Sequence, residues 1–239
     1  MKYLFAIYQW LIAAPILLVV TIIVALLTII GCLFNDKWWG YYPAKCWSML
    51  WCILLGVRVV VKNRELIDKK SSYVFVANHQ GAFDIFSIYG YLGHNFKWVM
   101  RKGLTNIPLV GTACRAAGFI FVDHSSQAAV KATMQEAGKK LEKGVSIVVF
   151  PEGRRTDDGH LQKFKLGAFR LAQEFDLPVV PITIDGSFKV MPRSTFMIKP
   201  GKITLTIHKP IAPHEKGDDM HLLAQECHDI IAKDLNERE

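Results

Sequence analysis

Between Tyr3 and Phe34 the chain carries no charged residue. That absence excludes an ordinary soluble start, because roughly 20 helical residues at about 1.5 Å rise each cross a bilayer core. A cleaved secretory signal is also disfavoured, since its apolar region is shorter and ends at a small-residue cleavage site. The stretch "IIGC" at residues 29–32 faintly resembles a lipoprotein attachment site, which would export the rest of the chain; an uncleaved anchor is the preferred reading. The five cysteines show no C-x-x-C spacing, and Cys32, Cys46 and Cys52 lie in the apolar region. Neither a disulfide framework nor a zinc site is expected, in agreement with a reducing, cytoplasmic-side domain. There is no G-x-S-x-G, no nucleic-acid-binding motif, no internal repeat and no low-complexity segment. The first disfavours a serine hydrolase and the second a nucleic-acid partner.

What is present divides the 239 residues in two. Residues 1–61 read as hydrophobic membrane-anchoring helices. The first is the uncharged run. The second, "CWSMLWCILLGVRVVV", is shorter, is interrupted by Arg58, and reads as a half-inserted helix at the interface. Between them "NDKWWGYYPAK" sets Trp38, Trp39, Tyr41 and Tyr42 beside Lys37 and Lys45, as in an interfacial aromatic belt. Residues 62–239 have the composition of an α/β domain. The formal net charge of +8 suits an anionic membrane surface and anionic substrates.

Apolar, β-rich runs occur at 73–77, 119–122, 146–150, 178–184 and 202–208. Helical patterns lie between them: "DIFSIYGYL", then "SSQAAVKATMQEAGKKLEKG" with a Ser cap and Gly stop, then "KLGAFRLAQEFDL". Met220, Leu223, Cys227, Ile230 and Ile231 recur at helical intervals and predict a closing amphipathic helix. Alternating strands and helices imply an α/β fold, with a mostly parallel β-sheet flanked by helices and the two-helix anchor in front.

In such sheets the active crevice lies beyond the carboxyl ends of the strands. Three expected strands end in dense polar clusters there: "NHQGAFD" after 77, "DHSS" after 122 and "PEGRRT" after 150. Residues five apart are about 140° out of phase on a helix, so His79 and Asp84 meet only if the chain first turns, which Gly81 permits. A carboxylate on one imidazole nitrogen fixes the tautomer and makes the other nitrogen a better base, the arrangement of acyl-transfer chemistry. The plainer alternative is that Asp84 caps a helix and His79 is a loop residue. One His and one Asp are too few for a metal site. In the third cluster Glu152 and Gly153 precede Arg154 and Arg155, with Lys163 and Lys165 further along. Guanidinium forks suit phosphate, although a solvated charged loop has the same composition.

Taken together these blocks resemble the glycerolipid acyltransferase family, most closely the lysophosphatidic acid (1-acyl-glycerol-3-phosphate) acyltransferases. The family's H-x-x-x-x-D matches His79 to Asp84, with Asn78 before it. Its F-P-E-G-x-R-S/T matches Phe150, Pro151, Glu152, Gly153, Arg155 and Thr156. A third block, with Pro then Gly and ending G-x-I/F-F-V/I-D-R, is seen in "NIPLVGTACRAAGFIFVDH", and a fourth, V-P-I/V, in Val180, Pro181 and Ile182. The four stand in the family's order across about residues 70–190. At one position the chain departs: His124 stands where the family usually has Arg, and a neutral imidazole is a poorer phosphate ligand. Arg115 or Arg154 is the candidate compensation.

The resemblance implies direct acyl transfer from acyl-CoA or an acyl-carrier protein to the free hydroxyl of 1-acyl-glycerol-3-phosphate. His79 would be the base and Asp84 its orienter. Glu152, Gly153, Arg155 and Thr156 would bind the substrate, with His124 and Lys102 as further candidates. No metal or other cofactor is implied, and with no Ser or Cys beside His79 no acyl-enzyme is expected. The implied partners are a membrane lipid acceptor, the thioester donor and the bilayer, at the cytoplasmic face (an inner membrane if bacterial). Two alternatives stay open. One is another lyso-lipid acceptor, with a larger head group or lacking phosphate, which His124 keeps alive. The other is a catalytically silent lipid-binding module at the membrane surface.

Overall fold

The computed structural model describes residues 2–122, 133, 137–138, 145–215, 217 and 219–236. His124 and most of the expected helix over 125–144 lie outside the described residues.

The uncharged run is one continuous helical rod. It comprises α1 (Lys2–Tyr8), a π-helical turn (Gln9–Ala13) and α2 (Ala14–Gly31). Residues Tyr3–Gly31 have a mean hydropathy of 2.9, long and apolar enough to cross a membrane by length and composition. One stripe of this rod is buried, through Ala13, Leu17, Ala25 and Thr28. On other faces Leu4, Leu11, Leu18, Ile22 and Leu26 stand exposed. A helix apolar all round with one stripe packed on protein leaves the rest for a nonpolar solvent.

The expected second anchor helix is corrected. Its sequence splits at a turn on Gly56 into α4 (Tyr42–Leu54), of 13 residues, and strand β1 (Val57–Lys62). The short α3 (Asp36–Trp39) precedes them. Thirteen helical residues are too few to cross a bilayer. The run Val-Arg-Val-Val-Val-Lys is β-branched and carries Arg58 and Lys62 exposed on one face, as an edge strand does. The boundary expected after residue 61 thus falls inside β1. The aromatic belt is also divided. Trp38 and Tyr42 are exposed, whereas Tyr41 is buried against Tyr89 and Phe96.

The other strands are β2 (Val74–Ala77), β3 (Phe96–Arg101), β4 (Ile120–Val122), β5 (Ser146–Val149), β6 (Val179–Asp185) and β7 (Gly201–Ile207). They form one sheet in the order β1-β7-β6-β2-β5-β3-β4. Every neighbouring pair is parallel except β6 and β7. The helices on the faces include α5 (Phe83–Tyr91), α6 (Val110–Ala116), α7 (Gly167–Glu174), the short α8 (Ser187–Val190) and α9 (Met220–Asn236).

β2 shows how the sheet organises the core. Side chains alternate across a strand, and here both faces are covered. Phe75 and Ala77 join one apolar cluster with Phe83, Ile88 and Phe96 from the α5 side. Val74 and Val76 join another with Phe169, Leu223 and Cys227 under α7 and α9. Full burial of a side chain such as Phe75 is worth about 2–3 kcal/mol. The strand that delivers the His-Asp turn is therefore firmly covered on both faces.

Candidate active site

β2 ends at Ala77, and Asn78 fixes the exit of the chain from the sheet. Its side-chain amide donates to the carbonyl of Ile184 at 2.8 Å and its Oδ1 accepts from the N–H of Ile184 at 2.7 Å. Asn78 is wholly buried, and the two bonds continue the β2–β6 pairing beyond the end of the strand.

The chain then turns and brings His79 and Asp84 together. Nδ1 of His79 lies 2.8 Å from Oδ2 of Asp84, with the imidazole 13% exposed and the carboxylate fully buried. The same Oδ2 accepts from the N–H of Gln80 at 2.7 Å and of Gly81 at 2.9 Å. Two backbone N–H groups already donate to this oxygen, so it faces Nδ1 as an acceptor and Nδ1 is the nitrogen that carries the proton toward it. Gly81 is needed for a different reason from the one expected. Its φ is not positive. A Cβ there would lie 2.5 Å from Oγ and 2.6 Å from the carbonyl oxygen of Ser187, so it is the close approach of α8 that excludes a side chain.

The backbone of His79 is held on both sides by the loop after β5. Its N–H donates to Oε1 of Glu152 at 2.6 Å, and its carbonyl accepts from the N–H of Thr156 at 2.9 Å. Glu152 also accepts from the N–H of Gln162 through Oε2, at 3.0 Å. Burial pushes its carboxyl up to about 7, against the pull of the two N–H bonds and with the help of the nearby Asp84 charge. The imidazole itself stacks on Phe150, with centroids 4.0 Å apart and planes 9° apart, and Phe150 stacks in turn on Trp98.

His79 opens onto a cavity of about 470 Å³. Its interior is apolar, with Trp98, Met100, Ile120, Val149 and Leu171 in its walls. Its other walls carry Arg101, Arg154, Arg155, Lys165 and Arg193, and among the described residues no carboxylate lines it. Gly153 lies among these cations with φ +77, a conformation that favours glycine. A Cβ on it would meet Nζ of Lys165 at 2.7 Å, and its carbonyl accepts from Arg101 at 2.6 Å. Arg154 and Arg193 share Asp157, at 3.7 and 3.2 Å.

The residues anticipated from sequence divide accordingly. His79, Gly153 and Arg155 line the cavity. Asp84, Glu152 and Thr156 do not. Glu152 and Thr156 are buried outside the lining and hold the backbone of the His-Asp turn, while the hydroxyl of Thr156 is engaged with Asp158 at 2.7 Å. Lys102 is exposed and outside the lining, which takes the preceding Arg101 instead. Arg115 caps the turn at Thr105 and does not reach the cavity, whereas Arg154 does. Arg101 and Arg193 went unread because each stands outside any polar cluster; the only signal was a cation next to the end of an apolar run.

The pattern of residues 58–185 matches the family model described as Acyltransferase. The chain is 31% identical over 197 residues to a chloroplastic 1-acyl-sn-glycerol-3-phosphate acyltransferase of Brassica napus, covering 82% of this chain and 56% of the relative. To a 1-acyl-sn-glycerol-3-phosphate acyltransferase of Saccharomyces cerevisiae it is 29% identical, over 89% of this chain and 70% of the relative. The chain thus spans just over half the length of the Brassica protein. The crystal structure of PlsC, the 1-acyl-sn-glycerophosphate (LPA) acyltransferase of Thermotoga maritima, superposes with a TM-score of 0.82 at 26% identity, covering 99% of this chain and 97% of that one.

Proposed function

The chain belongs to the acyltransferase family, and from that premise we propose that it moves a fatty acyl group from acyl-CoA or acyl-carrier protein to the free hydroxyl of 1-acyl-glycerol-3-phosphate, making phosphatidic acid. One observation carries this reading: an oriented histidine opens into an apolar cavity whose walls hold five cations and, among the described residues, no carboxylate. The apolar interior suits an acyl chain and the cations suit a phosphomonoester.

With Nδ1–H donating to Asp84, the lone pair of Nε2 takes the proton of the acceptor hydroxyl as its oxygen attacks the thioester carbonyl. Asp84 stabilises the imidazolium that forms. Collapse of the tetrahedral intermediate breaks the C–S bond, and Nε2 returns its proton to the leaving thiolate. No net proton is consumed and the histidine ends as it began. Arg155, half-buried and without a carboxylate partner among the described residues, is the first candidate ligand for the acceptor phosphate. The exposed apolar face of α1 and α2 supports a bilayer location, with the donor arriving from water on the cytoplasmic side.

The test is thiol release from an acyl-CoA by the detergent-solubilised protein, with and without lysophosphatidic acid, beside His79→Ala. Acceptor-dependent release that falls by about a thousandfold or more in the variant is expected. A folded variant that keeps substantial activity refutes the base role. Competition among lysophosphatidic acid, larger lysophospholipids and phosphate-free lyso-lipids tests the acceptor, and preference for another acceptor refutes that assignment.

A further inference from the structure

Gln9 is an anomaly in its setting. It lies in an uncharged apolar rod, yet it is only 4% exposed and both ends of its amide are hydrogen-bonded. Nε2 donates to the carbonyl of Phe196 at 2.8 Å, and Oε1 accepts from the N–H of Ile198 at 3.0 Å. These two bonds cross 187 and 189 positions of sequence and copy one rung of a β-ladder. Gln9 also begins the π-helical turn Gln9–Ala13, a local irregularity that in helices often marks a functional position. A primary amide in an apolar segment is costly unless paired, so the rod and this loop are matched to each other.

The loop that Gln9 holds runs between α8 and β7. At its root the carbonyl of Met191 accepts from the N–H of Ala82, in the turn that carries His79 and Asp84. Two residues on, Arg193 reaches the cavity and pairs with Asp157. Further along, Phe196 is 76% exposed beside the rod. Nothing in the loop is regular secondary structure between Met191 and Pro200; its base is closed by the N–H of Lys199 on the carbonyl of Val190 at 2.9 Å, and two ties to its backbone reach it from other segments. One is the catalytic turn and the other is Gln9.

We propose that Arg193 is a further ligand for the acceptor's phosphate, and that Gln9 is the positioning residue that sets it by fixing this loop to the membrane helix. Nη1 of Arg193 already donates to a carboxylate oxygen of Asp157, 3.2 Å away. A dianionic phosphate offers the same geometry with more charge. Because the tie comes from the apolar rod, the cation is placed relative to the membrane as well as to His79. The proposal rests on the phosphate reading of the site given above.

The experiment measures kcat and KM separately for donor and acceptor with the full chain in lipid nanodiscs. The acceptors are lysophosphatidic acid and the phosphate-free monoacylglycerol. Arg193→Ala is expected to raise KM for lysophosphatidic acid about tenfold, with the donor KM unchanged. Gln9→Met, which keeps the length and removes both bonds, is expected to raise the same KM by about fivefold with kcat retained. The double variant should be no worse than Arg193→Ala alone. Additive effects, a loss confined to kcat or the donor, or no change overturn the proposal. Should Gln9→Met fail to fold, Gln9→Asn keeps a neutral amide and shortens its reach by one methylene, so that the two bonds cannot both form; a raised lysophosphatidic acid KM in that variant supports the proposal and an unchanged one overturns it. If the unaltered protein does not prefer lysophosphatidic acid over monoacylglycerol, the phosphate reading itself falls. Preference in the unaltered protein that survives both substitutions overturns only the roles of Arg193 and Gln9.

Discussion

The turn after β2 and the loop after β5 each contribute a buried carboxylate to the same histidine, and they use it in opposite ways. Asp84 gathers three donors on a single oxygen, one of them the imidazole, and all from residues within five positions of it. Glu152 spreads two backbone donors over its two oxygens, one of them 73 positions away. Asp84 addresses the ring, and Glu152 addresses the chain that carries the ring. In the proposed reaction the local carboxylate tunes the chemistry, and the distant one makes the chemistry conditional on the fold.

The widest separation between the two is expected from Asp84→Asn. It keeps the shape and removes the charge that stabilises the imidazolium, so kcat should fall about a thousandfold while KM for both substrates stays near the original. Equal losses in KM would make Asp84 a structural cap. Glu152→Gln is expected to be milder, about a hundredfold, because the amide can accept only one of the two N–H groups and sets a donor against the other. Its loss should be accompanied by faster hydrogen exchange at His79; exchange unchanged beside a lost rate would remove Glu152 from the positioning role.

A third contrast is in pH. The native carboxyl of Glu152 titrates at about 7 against an ordinary 4.5, so as pH falls the folded protein takes up this proton before the unfolded chain does. Between about 7 and 4.5 this group therefore adds stability as pH drops, by at most about 1.4 kcal/mol per unit. The ionised form is the one that accepts both N–H bonds, so kcat should decline through the same window. Melting curves and rates from about pH 5 to 8 should show stability and activity moving in opposite directions, and Glu152→Gln should flatten the stability slope. Parallel trends would assign the titration to another group. The smallest effect is expected from Thr156→Ala. The bond to His79 comes from the backbone, so a loss of about 1 kcal/mol in stability and a few-fold in rate should suffice. A loss matching that of Glu152→Gln would move the hydroxyl into the site.

The fold was legible wherever a strand runs into a polar cluster. β2, β5, β6 and β7 announce themselves as β-branched apolar runs, and the His-Asp turn stands at the end of the first of them. β1 was hidden because Val57–Lys62 continues an apolar helix with only Leu55 and Gly56 between them. β3 was hidden because Phe-Lys-Trp-Val-Met-Arg mixes charge into a buried strand, and Lys97 is itself buried. The chemistry of His79 and Asp84 is local and could be read from spacing. The grip of Glu152 on His79, and of Asn78 on Ile184, spans 73 and 106 positions and is invisible to any local pattern. Sequence named the residues of the second block, and only packing distinguished those that face the cavity from those that face the turn.

The pairing of β1 with β7 has a consequence for how the molecule is made. Val57 is registered against Gly201, and among the described residues β1 has no other strand beside it. Synthesis delivers the apolar rod and β1 first and β7 much later. On the proposed bilayer location of the rod, a nascent chain holds an unpaired, β-branched edge near the membrane surface until β7 emerges. Closing so distant a contact is slow, and arrest of translation before β7 should leave a species prone to edge-to-edge association.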